Sequence, residues 1–176
     1  MTPKLARTQE DEKTAYHEAG HIVVAFEMGI SVRYVTIRPH GKGILGNTVL
    51  RRNKFTPGVN GYVILKLAGA VAAQLFRPDT YPANYDQALG VMRDAGFCDD
   101  FQQADDAANA LFNTYEEKQI YLQKMIDRTE KLVNSDWCQE AIQAIAEALL
   151  EKSTLTGREA KEIYFRAKTC SIVRQT

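Results

Sequence analysis

Charge of either sign in excess is missing from this chain: Lys plus Arg and Asp plus Glu each number 22. Without a net field, neither nucleic acid nor an anionic membrane surface is expected as a partner. Cysteine is scarce, and Cys98, Cys138 and Cys170 are far apart with no CxxC spacing. That pattern does not suit a disulfide framework and suits free thiols in a reducing compartment. Long hydrophobic runs are also lacking. The longest, Tyr62 to Phe76, is interrupted by Lys66 and falls short of the roughly 20 apolar residues that a bilayer span requires. Residues 1–7 hold no apolar core of a signal peptide, and no GxxxxGK phosphate loop occurs, so ATP binding of that kind is excluded. There is no internal repeat and no low-complexity segment. A cytoplasmic protein with no membrane span is the expectation.

What is present is ordinary in bulk and unusual at one point. At 176 residues, 45% hydrophobic and 25% charged, the chain is long enough to bury a real core as one domain. Two of its three histidines, His17 and His21, stand four residues apart with Glu18 beside the first. On a helix that spacing is about one turn, so both imidazoles project from one face. A helical turn can therefore present two nitrogens to Zn²⁺ without ordering a loop. Glu18 lies where it can act as general base on water that the metal has made acidic. The arrangement is H-E-x-x-H, a metallopeptidase signature; the plainer alternative is a polar helix face meeting solvent. His40, among Pro39, Gly41 and Gly43, reads as a turn residue and not as a ligand.

Thr8 can cap the first helix, with Glu10 and Asp11 in the first turn. Ala15, Ala19, Ile22, Val23 and Phe26 recur at helical spacing as a buried face, and Gly29 ends the helix. Gly20 in its interior costs about 1 kcal/mol against alanine, which points to close packing or access to a metal site. Residues 32–38 and 44–50 read as strands joined by turn chemistry, hence a hairpin within a small sheet. Beyond residue 56 the chain reads as helical. Thr56 and Pro57 look like a cap and first helical position, and residues 59–76 are apolar nearly all round, as in a central helix. Residues 79–83 read as a loop, 84–94 as a short helix, and a further helix begins near Asp99 with Ala104, Ala107, Ala108 and Leu111 on one side. Helices over 116–133 and 136–152 suggest a helical hairpin. Thr156 to Glu159 looks like a capping box opening a last helix to about Lys168.

A catalytic zinc takes three protein ligands, and with His40 in a turn the third should be a carboxylate. Spacing does not choose among the 22 acidic residues. Residues Thr14 to Leu50, however, resemble the start of the peptidase domain of the FtsH family, where HEAGH precedes a V-x-x-V-T-I-x-P strand and an L-G-x-T strand. Leu67 to Gln74 resembles that family's L-x-G-G-x-A-A-E helix, and Gly96 to Ala104 its G-A-x-N-D segment. The similarity extends over roughly residues 12–167. It implies that Asp100 is the third zinc ligand and that Gln74, where the family has glutamate, stands behind the ligands. Ala70 replaces a glycine and Asp99 an asparagine.

The resemblance implies an α+β fold, predominantly α-helical, with the H-E-x-x-H helix beside a small sheet and a helical bundle following. One domain over residues 1–176 is expected, a catalytic core at 12–114 and C-terminal helices at 115–176. It further implies a zinc endopeptidase whose edge strand, Ile44, Leu45, Gly46, Asn47 and Thr48, receives unfolded or flexible polypeptide, and a homo-oligomer of up to six copies. With no ATPase motif, cleavage should be ATP-independent. A regulatory protease for one partner and a non-catalytic peptide-binding module are the alternatives, and the intact Glu18 favours catalysis.

Overall fold

The computed structural model describes residues 8–39, 46–51, 57–74 and 98–174. In chain order they form α1 (Gln9–Glu27), β1 (Val32–Thr36), β2 (Asn47–Leu50), α2 (Val59–Ala73), α3 (Cys98–Asn109), α4 (Tyr115–Val133), α5 (Asp136–Lys152), β3 (Thr154–Thr156) and α6 (Gly157–Arg174). The fold is α+β and predominantly helical, with one antiparallel sheet in the order β2-β1-β3. None of the helices among the described residues is long and apolar enough to cross a membrane. His40, Ile44, Leu45, Thr56 and the segments expected as a loop at 79–83 and a helix at 84–94 lie outside the described residues.

Local chemistry starts α1 where the sequence places it. Thr8 Oγ1 accepts from the Asp11 amide at 3.1 Å, and the Asp11 carboxylate accepts from the Thr8 amide at 2.9 Å. This reciprocal pairing satisfies two end groups that would otherwise lack partners. The helix ends at Met28, and Gly29 follows at φ 71°, a left-handed turn that glycine takes without steric penalty. Burial is not confined to the expected stripe, for every residue from His17 to Ala25 is buried. α2 and α5 both pack against α1, with the sheet beside them.

α2 is the central helix that its apolar sequence implies. Leu65, Ala68, Val71 and Ala72 join a core with α1, the sheet, α5 and α6, whereas Val63, Leu67 and Ala70 join a second core with α3 and α4. Each buried Val or Leu contributes about 1.5–3 kcal/mol from removal of apolar surface. The helix starts later than Thr56-Pro57 suggested: Gly58 is the cap and Val59 the first helical residue. Gly20 of α1 permits the close crossing, since a Cβ there would collide with Ala72 Cβ and stand 2.5 Å from the Ala68 carbonyl oxygen.

Four further differences follow from packing. α4 and α5 have the expected extents but do not form a close hairpin; α4 lies on α2, and α5 lies on α1 and α6. Leu122, Met125 and Ile126 of α4 join the second core, whereas α5 and Val133 at the end of α4 join the first. β3 was not foreseen, because three residues are too few to show an alternating pattern; Leu155 is buried opposite Val35, and the Thr154 and Thr36 hydroxyls meet at 2.8 Å. α6 runs six residues beyond Lys168 to Arg174. Lys168 ties it to α1 through Glu27 at 2.7 Å and lies 4.5 Å from the centre of the Trp137 ring. Leu111, expected on the inner side after α3, is exposed, while Ala104 and Ala108 are fully buried.

Candidate metal centre

His17 and His21 are 7% and 8% exposed, so the face they share is an interior one and the solvent-facing alternative fails. Their Nε2 atoms stand 3.0 Å apart. Asp100 arrives from the first turn of α3, 83 residues from His17 and 79 from His21, and places Oδ2 at 3.2 Å and 2.9 Å from the two nitrogens. Asp99, its neighbour, is exposed. The three donors thus form a small triangle. Tetrahedral zinc with ligands at about 2.0–2.1 Å sets neighbouring donors about 3.3 Å apart, close to these separations. Two imidazoles and one carboxylate are also a donor set that zinc accepts.

Surrounding groups orient two of the three donors. Leu65 carbonyl oxygen lies 2.8 Å from His21 Nδ1. A carbonyl can only accept, so Nδ1 carries a proton, and Nε2 is the nitrogen that would give up its proton to take a metal. Lys66 Nζ lies 2.9 Å from Asp100 Oδ1, the oxygen turned away from the histidines. Gly69 leaves the space that the rings occupy: a Cβ there would overlap His21 Nε2 and come within 2.6 Å of His17 Cε1. Leu65, Lys66 and Gly69 all belong to α2, which therefore forms the wall of the site.

Electrostatics divide the pair of histidines. Burial pushes His17 below its ordinary value, against the opposing hydrogen bond to Asp100. Burial acts likewise on His21, but the charge and hydrogen bond of Asp100 and the charge of Glu18 outweigh it, and His21 is raised. For Asp100, burial alone would raise the carboxyl; the charge of His21 and the hydrogen bonds with both histidines hold it far below the usual carboxylate range. Asp100 is accordingly ionised, as a metal ligand must be.

Glu18 does not join the donor cluster formed by His17, His21 and Asp100. It is 5% exposed, and its Oε2 accepts from Thr48 Oγ1 at 2.6 Å. Gly46 approaches from the same strand segment, where a Cβ would stand 2.6 Å from Glu18 Oε1. The end of the hairpin expected to receive substrate is therefore also what holds the expected base. β2 pairs only with β1 among the described residues, which makes it an edge strand.

Gln74 caps the C-terminal end of α2 and is buried, but among the described residues its Oε1 has no hydrogen-bond partner and no bond links it to the three donors. Lys66 and the Leu65 carbonyl were not singled out by sequence reasoning. A signal for Lys66 existed, since one cation inside an otherwise apolar, buried helix requires a partner of opposite charge. No protein-family model matches the chain, and no curated protein matches it either.

Proposed function

We propose that this protein is a zinc metalloendopeptidase that hydrolyses peptide bonds in unstructured polypeptides. The observation that carries the proposal is the convergence of His17 Nε2, His21 Nε2 and Asp100 Oδ2 within 3.2 Å of one another, with Glu18 held apart from them by Thr48. Three donors and a separate buried carboxylate are the parts that metal-assisted hydrolysis needs. The resemblance of residues 12–167 to the FtsH peptidase domain supports the same reading.

His17, His21 and Asp100 would hold the metal. Zinc bound there supplies Lewis acidity, which makes water nucleophilic near neutral pH and polarises a peptide carbonyl. Glu18 takes the proton as the water oxygen attacks the carbonyl carbon, and returns it to the amine as the C–N bond breaks. Thr48 engages one carboxylate oxygen of Glu18 and so leaves the other for that proton. The edge of β2 would pair with an extended substrate through backbone hydrogen bonds. That mode needs a free backbone, and unfolding a stable domain costs about 5–15 kcal/mol, for which this chain has no phosphate-loop motor. Unfolded chains and flexible loops are thus the substrates we propose, with a homo-oligomer, as in the family resembled, as the working form. A cytoplasmic location is consistent with the free thiols Cys138 and Cys170.

The test combines zinc content with cleavage of an unstructured protein by wild type and by Glu18→Gln, without ATP. Zinc near one equivalent, cleavage by wild type alone and resistance of a stably folded domain are expected. Absence of zinc, or equal cleavage by Glu18→Gln, overturns the proposal.

A further inference from the structure

We infer that Lys66 is a positioning residue of the metal centre, holding Asp100 one-sided so that a single carboxylate oxygen is offered to the metal. This rests on the zinc reading above. The Lys66 ammonium takes Asp100 Oδ1 at 2.9 Å, while Oδ2 faces both histidine nitrogens at 2.9 Å and 3.2 Å. Both side chains of the pair are 22% exposed. A cation in that setting is costly without a counter-charge, and Asp100 is the carboxylate that Lys66 meets. Its further contact is weaker, the Tyr62 ring at 5.9 Å from centroid to Nζ.

The consequence lies in the number of coordination positions. A carboxylate with both oxygens free can close on a metal through both and occupy two positions. Zinc chemistry with three protein side chains requires that a position stay open for water. With Oδ1 bound to Lys66, Asp100 supplies Oδ2 alone. The pairing also fixes the carboxylate plane before metal arrives, as carboxylates and carbonyls behind metal-bound histidines fix their rings. Leu65, one residue earlier on α2, does this for His21 through its carbonyl at 2.8 Å. Successive residues of one helix turn thus orient two of the three ligands.

Chelator competition on wild type and Lys66→Met measures zinc affinity, and absorption of the cobalt-loaded proteins reports coordination number. Lys66→Met, which keeps the length of the side chain and removes its charge, should bind zinc about tenfold to hundredfold more weakly. Its cobalt absorption should be less intense than that of wild type, as a two-oxygen carboxylate raises the coordination number. Equal affinity together with an unchanged cobalt spectrum overturns the inference. Ammonium NMR of wild type supplies a measurement that needs no variant to fold: the Lys66 signal should remain protected from water exchange when zinc is added, and its release on zinc loading also overturns the role. Failure of wild type itself to bind zinc removes the proposed function and this inference together, whereas equal zinc affinity and the same cobalt spectrum in wild type and Lys66→Met remove only the role of Lys66.

Discussion

Gly69 lies so close to His17 that one added carbon would stand 2.6 Å from Cε1 and 2.7 Å from Nδ1 of the imidazole. The same carbon would overlap His21 Nε2. Alanine stabilises a helix interior by about 1 kcal/mol over glycine, so Gly69→Ala does not weaken α2 as a helix. The rings must move instead. We expect Gly69→Ala to stay folded by circular dichroism and to lose zinc affinity by more than about tenfold, a loss of the size seen when the groups supporting metal ligands are disturbed. Unchanged zinc affinity would show that the rings accommodate the added carbon.

Asp100 and Asp99 are neighbours with opposite fates. Asp100 meets both histidines, and Asp99 is exposed. Asp100→Ala should abolish stoichiometric zinc in elemental analysis, and Asp99→Ala should leave it intact. The reverse pattern would transfer the ligand role to Asp99.

Glu18 and Thr48 should separate chemistry from metal binding. Glu18→Gln should retain zinc and lose about 10²–10⁴-fold in turnover, the usual contribution of a positioned general base. Thr48→Val keeps the shape of the side chain but removes the 2.6 Å hydrogen bond to Glu18. A bond to a charged group is worth about 1.5–3 kcal/mol, so turnover should fall about tenfold or more with zinc content unchanged. If kcat is untouched and only KM rises, Thr48 contacts substrate and does not serve the base. Gly46 is unsuitable for probing the strand edge alone, since any side chain there presses on Glu18.

Stability in acid should depend on Glu159. The hydrogen bond from Lys152 and those from the Thr156 amide and hydroxyl bring its carboxyl down to about 2 from 4.5. The unfolded chain therefore binds the proton more readily, and the contribution of Glu159 is present above about pH 4.5 and lost as pH falls towards about 2. The difference in melting temperature between wild type and Glu159→Gln should be largest near neutral pH and shrink through that window. Because the group is exposed, added salt should reduce the part due to Lys152. A difference that is constant with pH would assign the effect to helix capping by the neutral side chain.

Much of this protein is legible because it is local. A capping box involves residues within one turn, which is why the starts of α1 and α6 could be placed from Thr8 and from Thr156 with Glu159. The same reach covers His17 and His21, whose common face follows from helix geometry alone. The apolar sequence around Leu65 and Leu67 likewise required a helix enclosed on both sides, as α2 is.

The sequence by itself determined that two imidazoles and a neighbouring carboxylate share one helix. Tertiary structure decided which acid completes the set. Asp99 and Asp100 differ by about 100° around α3, and only the packing of α3 against α2 selects the one that faces inward. The resemblance, not the spacing, pointed to Asp100 in advance. Packing alone also brought Lys66 to Asp100, the Leu65 carbonyl to His21, Thr48 to Glu18 and β3 to β1. Each of these pairs joins separate elements of the chain, and helix or strand periodicity carries no information about which faces of separate elements meet. That is set by the simultaneous fit of two hydrophobic cores against opposite sides of α2, which no single segment encodes.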